Sequence, residues 1–210
     1  MRKANFVSLA IIVLAVLLGI IVYPYMPDQI SSHWNASGEV NGHVGKFWGL
    51  FLLPLISLIL FVIFLAIPKL DPLKSNIEIF RKEFDRFINV FTVFLFYIYS
   101  LTIMWNLGLR FNMSLMLVPA LAALFYYLGI LIGKAKRNWF IGIRTPWTLS
   151  SEKIWDRTHE VGGKLFRASG ILMLSGLVFQ SAAIYIIIGL ALITAVWSVV
   201  YSYVLWTRSR

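Results

Sequence analysis

The chain has 210 residues, 60% of them hydrophobic and 13% charged, with a formal net charge of +10. A soluble domain carries about 25% charged residues, so the composition excludes one and indicates an integral membrane protein folded as a single compact bundle. There is no cysteine, which excludes disulfides, thiolate catalysis and thiolate-bound metals.

A helix crossing the hydrocarbon core needs roughly 20 apolar residues. The first such run is Phe6–Tyr25, behind the basic start MRKAN. Signal-peptide cores are about 7–15 residues long and end at a small-residue cleavage site. This run is longer and ends in YPYMPDQ, so it reads as a retained helix. The loop Met26–Lys46 follows, opening on a Pro-Asp turn and punctuated by the turn residues Asn35, Gly38, Asn41 and Gly42. Val40 set among turns, with Trp34 nearby, predicts a short ordered hairpin. His33, His43, Asp28 and Glu39 match no recognised ligand spacing, so neither a metal nor any other cofactor is expected.

The second span is Trp48–Ile67, with Pro54 inside it, and the third is Phe87–Leu107. The fourth, Met113–Ile132, contains Pro119 and follows so short a connection that it pairs with the third as an antiparallel hairpin. From Ala168 to Trp206 no residue is charged. As one helix that stretch would extend about 58 Å at 1.5 Å per residue, nearly twice the hydrocarbon thickness, so it must fold back. Gln180-Ser181 is the polar pair near its middle. The result is an all-α polytopic bundle of six transmembrane helices, the fifth short unless it starts within VGGKLFR.

Six spans put both termini on one side. If that side is the cytoplasm, its segments hold Arg2, Lys3, Arg208 and Arg210, five basic residues in 68–86 and eight in 134–167, leaving only Lys46 and Arg110 outside. The positive-inside rule then fixes the orientation and accounts for the basic charge without nucleic acid. No ionisable residue lies deep inside a span, which weighs against proton- or ion-coupled transport. Asn106, Tyr97, Tyr99, Ser100, Thr102, Ser169 and Ser175 read as helix–helix contacts, and Gly170 and Gly176 as places of close packing.

The cytoplasmic loop 134–167 is the unusual stretch. Over Phe140–Leu149 apolar residues alternate with small or polar ones until Thr145-Pro146, where the residue before proline is pushed out of the α region, so an extended segment with a turn is expected. Arg144 sits among Ile141, Ile143 and Trp147, where a guanidinium stacked on an indole and donating to carbonyls would hold a small loop together. Ser150-Ser151 offers an N-cap, Glu152 an acid in the first turn, and Trp155, Thr158, Gly162 and Leu165 an apolar stripe at helical spacing. A short amphipathic helix at the inner surface, turning through Gly162-Gly163 into the fifth span, is the expectation. His159 reads as solvated or capping. With no nucleophile–base pair and no second histidine at zincin spacing, no catalytic activity is expected.

Ile141-Gly142-Ile143-Arg144-Thr145-Pro146-Trp147-Thr148-Leu149, followed by Glu152 and Trp155, resembles the signature of the SdpI family of bacterial immunity proteins. Tyr25 to Ile30, then His33-Trp34-Asn35 and Gly38-Glu39-Val40-Asn41-Gly42, is similar to an uncharacterised membrane module often fused to SdpI-like halves. The resemblance implies a two-span module over 1–70 with outward loop 26–46, and an SdpI-like four-span module over 71–210. It implies a multi-pass protein of the bacterial plasma membrane that gives immunity to a secreted killing peptide. It also implies signalling, by holding a cytoplasmic repressor at the membrane. Arg144, Thr145, Pro146, Trp147, Thr148, Glu152 and Trp155 would then meet the repressor or membrane lipid, and Pro27, His33, Trp34, Asn35 and Gly38 the toxin. The alternative is a small transporter or flippase exporting peptide or lipid-like material.

Overall fold

The computed structural model describes residues 3–209. Arg2 and Arg210, which entered the charge count, lie outside the described residues. In chain order the elements are α1 (Lys3–Val22), β1 (Gln29–Trp34), β2 (Val40–Gly45), α2 (Lys46–Leu70), α3 (Lys74–Ile79), α4 (Arg81–Asn106), α5 (Met113–Lys134), α6 (Pro146–Ser150), α7 (Glu152–Met173) and α8 (Ala183–Thr207).

Side-chain contacts fix how the long helices run. The Ser8 hydroxyl donates to Asn89 Oδ1 at 2.6 Å near the start of both helices, and Val22 shares a core with Tyr99 and Ile103 near their ends, so α1 and α4 are parallel, while Ile12 shares a core with Phe61 of the antiparallel α2. Ser169 and Thr194 pair at 2.7 Å between the antiparallel α7 and α8. Among the described residues five helices are long and apolar enough to cross a membrane: Asn5–Tyr25, Lys46–Leu70, Arg81–Asn106, Met113–Lys134 and Gln180–Thr207. The expected fifth span falls in the apolar second half of α7, a helix that is polar over its first half and lies antiparallel along α5.

Glycine explains that pairing. A Cβ on Gly163 would stand 2.7 Å from the carbonyl oxygen of Gly129, and one on Gly170 2.7 Å from that of Ala122. Backbones this close exchange contacts along the whole seam, the mode of association open to helices where apolar burial gives no net drive. The expected turn at Gly162-Gly163 is therefore corrected. Both residues stay helical, because here glycine admits a neighbour instead of reversing the chain, and the amphipathic segment is the first half of one 22-residue helix. The fold-back comes where the polar pair placed it, in two 3₁₀ turns, Leu174–Leu177 and Gln180–Ala182.

The hairpin expected in the outer loop is present, with β1 and β2 antiparallel and irregular in register between Ser31 and Trp34. Two strands alone are marginal in water, and this pair is anchored. Asn106, at the end of α4, accepts from Ser31 N at 2.8 Å and donates to Ser31 O at 3.0 Å, standing in for a further strand. At the opposite end a cluster of Phe61, Ile67, Ile77, Phe80, Phe84, Leu131, Ile141 and Trp155 joins α2, α3, α4, α5 and α7 around the cytoplasmic loop.

Candidate functional site

Residues 135–151 leave α5, double back beneath it and enter α7. Their fold is organised by Asn138, whose side chain is completely buried. Its Nδ2 donates to the carbonyls of Lys136 and Ile141, both at 2.8 Å. Its Oδ1 accepts from the amides of Phe140 at 2.9 Å and Ile141 at 2.6 Å. A buried primary amide left short of partners costs about 1–3 kcal/mol; this one has partners for both donors and both lone pairs.

His159 performs the matching task from the helix side. Ile143 N–H points at its Nε2 from 2.9 Å, so Nε2 is the acceptor. Nδ1 therefore carries the proton and donates to the Trp155 carbonyl at 2.8 Å. The ring lies flat against the Trp155 indole, centroids 3.9 Å apart, and Trp155 Nε1 donates to Ala135 O at 2.8 Å. Burial disfavours the imidazolium and lowers the His159 pKa to about 4. The expectation of a solvated or capping histidine is corrected: His159 is 2% exposed and belongs to the loop core. Gly142 passes over the ring at φ +121°, where a Cβ would come within 2.4 Å of Nε2. Only glycine meets both conditions.

The RTPWTL stretch divides into buried and exposed parts. Thr145 and Thr148 form a reciprocal capping box that opens α6, Pro146 filling the first turn. The expectation of no helix after Thr145-Pro146 is thus corrected. The pre-proline restriction falls on Thr145, which is extended as an N-cap should be, and proline at N1 starts a helix instead of ending one. Thr145 Oγ1 also pairs with Ser202 Oγ at 3.1 Å, tying the loop to α8. Trp147 packs edge-on to Tyr203 at 5.1 Å and beside Trp206 at 6.2 Å, not under Arg144. Arg144 is exposed and donates to the Trp139 carbonyl at 2.7 Å, the carbonyl half of what was expected.

Ser151 caps α7 by accepting from Ile154 N at 3.4 Å, with Glu152 next in the first turn. Arg137 reaches Glu152 at 3.3 Å and Lys136 reaches Asp156 at 3.1 Å, both partly exposed pairs contributing little. Hydrogen bonds from Lys164 and Arg157 hold the Glu160 carboxyl below its usual range. Of the seven signature residues, Thr145, Thr148 and Trp155 are interior, Trp147 is half-buried, and Arg144, Pro146 and Glu152 face solvent.

The five outward residues lie at the other end of the bundle. Pro27 is exposed in the turn before β1. His33 is exposed and pairs with Asn41. Asn35 closes the hairpin tip, its Oδ1 accepting from Ser37 N at 3.0 Å and Glu39 N at 2.9 Å. Gly38, at φ +82°, lies against Asn112, whose Oδ1 leaves no room for a Cβ. Trp34 meets Trp105 edge to face at 5.7 Å, its Nε1 shielded from solvent and unpartnered. With Ile98, Ser114, Leu117 and Ile184, residues His33, Trp34 and Asn35 border a cavity of about 330 Å³ between hairpin and bundle.

Sequence reasoning missed Asn138, His159 and Gly142. Glycine between two isoleucines in an extended run marks a close backbone approach, and His159 falls four residues after Trp155 on the buried stripe. Both signals were present. Nothing local distinguishes Asn138 from a solvated asparagine.

Residues 134–202 match the SdpI/YfhL protein family, and residues 10–58 match a domain of unknown function, DUF1648. The chain is 27% identical over 202 residues to the immunity protein SdpI of Bacillus subtilis (strain 168), covering 96% of this chain and 95% of that protein. No solved structure matches it. The apolar helices and this similarity make it a multi-pass plasma-membrane protein. The loop motif, the outer motif and a relative aligned almost end to end agree: this chain carries an SdpI-family segment over residues 134–202, joined to a DUF1648 segment over residues 10–58.

Proposed function

We propose that this protein confers immunity on the cell that makes it, protecting the membrane against a secreted killing peptide. The observation that carries the reading is the alignment with an immunity protein over 95% of that protein's length, so that both the outer hairpin and the cytoplasmic loop have counterparts. The hairpin cavity, with Trp34, His33 and Asn35 on its border, is the surface offered to a peptide arriving from outside. The cytoplasmic loop is the surface offered to a protein inside, a repressor held at the membrane. Thr145, Thr148, Trp155 and His159 build that surface from within, and Arg144, Pro146 and Glu152 present it. Arginine and tryptophan, with large contact areas, are among the residue types enriched at recognition hot spots.

The test is survival. A sensitive bacterium expressing the chain is challenged with an SdpI-type toxin peptide beside one expressing Arg144→Ala at equal membrane abundance. Protection by the parent chain is expected. A variant that reaches the membrane but protects several-fold less places the cytoplasmic surface in the mechanism, and full protection by the variant removes Arg144 from it. Death of cells expressing the parent chain at normal abundance would overturn the immunity reading for that toxin.

A further inference from the structure

A groove on the cytoplasmic side lies apart from the exposed loop surface. Glu83, Gly133, Lys134, Lys136, Asp156 and Glu160 are among the residues bordering its volume of about 580 Å³. Most of its charges are already matched. Lys136 bonds Asp156 at 3.1 Å, and Glu160 is held by Arg157 and Lys164, each at 2.8 Å. The Glu83 carboxylate and the Lys134 ammonium are different: they border one groove with opposite sign and form no ion pair among the described residues, Glu83 acting, with Arg86 one turn along α4, on the Tyr127 hydroxyl.

Toward the middle of the bundle the same three helices border an apolar cleft of about 480 Å³. Along α4 the border passes from Glu83 to Val90, along α5 from Lys134 through Ile130 to Ala123, and along α7 from Glu160 to Gly170. The Tyr127 hydroxyl donates to the Glu83 carbonyl at 3.2 Å where the polar and apolar parts meet. Glu83 in the first turn of α4 and Lys134 in the last turn of α5 stand at the ends of membrane helices, the depth of lipid headgroups.

We infer that this depression is a site for an inner-leaflet phospholipid with a phosphoethanolamine headgroup, its phosphate at Lys134, its ammonium at Glu83 and one acyl chain in the cleft. The two unmatched charges select that chemistry. A headgroup carrying only phosphate would satisfy Lys134 and bring negative charge beside Glu83. A choline headgroup has the positive charge but no N–H to donate to a carboxylate. The inference is independent of the immunity reading, since it concerns a resident lipid.

The protein is reconstituted in bilayers of phosphatidylethanolamine, phosphatidylglycerol and phosphatidylcholine in equal parts, released in mild detergent, and its retained lipid identified by native mass spectrometry. Phosphatidylethanolamine is expected to be retained several-fold over either competitor. Glu83→Gln and Lys134→Gln should each bring retention to the bulk ratio without altering the melting temperature, whereas Glu160→Gln, at a carboxylate already paired, should keep the preference. Ala123→Phe, which fills the cleft, should abolish retention. Retention in the bulk ratio by the parent protein, a preference for phosphatidylglycerol, or an undiminished preference in folded Glu83→Gln would each overturn the assignment.

Discussion

His159 stays neutral because both ring nitrogens are already engaged by backbone, Nε2 accepting from Ile143 and Nδ1 donating to Trp155. A proton added to Nε2 would face the Ile143 N–H and break that bond. With the folded pKa lowered to about 4 from the ordinary 6.5, the unfolded chain takes the proton first as pH falls. The contribution to stability is therefore complete above about 6.5. It declines by at most about 1.4 kcal/mol per pH unit until the folded pKa is reached. The expected outcome is that His159 ring resonances do not move between pH 8 and 5, and that the loop loosens only towards pH 4. A ring titrating near 6.5 would show that it is solvated. The sequence exposed the oddness of this segment but not its interior. The stripe Trp155, Thr158, Gly162 is legible at helical spacing, while His159, four residues after Trp155, reads from sequence as solvated or capping.

Among the elements, the α5–α7 pair carries the heaviest constraint. Gly163 lies against Gly129, and Gly170 against Ala122 and Tyr126, with no side chain between the backbones. Gly163→Leu would push α7 away from α5, break the backbone approach, and strain the loop that both helices suspend. Overpacking of this kind costs about 1–3 kcal/mol where neighbours can yield; here the neighbour is backbone, so the cost falls at the upper end or beyond. A lower melting temperature in detergent and reduced membrane abundance are expected. Gly189→Leu on α8, where a Cβ meets nothing within 4 Å, should change neither. Equal behaviour of the two variants would mean that the seam is not rigid. Five of the long helices were legible from hydropathy, and the fold-back from the polar pair at Gln180-Ser181. α7 is legible only as two pieces, an amphipathic helix and a short fifth span, since glycine reads as a turn until its neighbour is known.

For the whole molecule, Asp71 decides whether the inner end of α2 and the signature loop act as one. It caps the carboxyl end of α2, is 2% exposed, and engages a different amide with each carboxylate oxygen. Oδ1 accepts from Leu73 N at 2.7 Å, and Oδ2 from Trp139 N, within the signature loop, at 2.8 Å. Asn76 adds a second tie to that loop, donating to Arg137 O at 2.8 Å, and Ile77 and Phe80 share a core with Trp155. The loop is thus walled on one side by the inner ends of helices that, at their outer ends, carry the hairpin. Asp71→Ala would strand two amides, each at a cost of about 1–3 kcal/mol where water cannot reach, and would open the loop while sparing the spans. In inside-out vesicles, trypsin should cut after Arg137 and Arg144 several-fold faster in Asp71→Ala than in the parent. Asp71→Asn, which retains one carbonyl oxygen, should fall between them. Protection against toxin should drop in the same order if the outer and inner surfaces work together. Faster cleavage with unchanged protection would separate the loop from immunity, and unchanged cleavage would mean that the carboxylate does not hold the loop to α2.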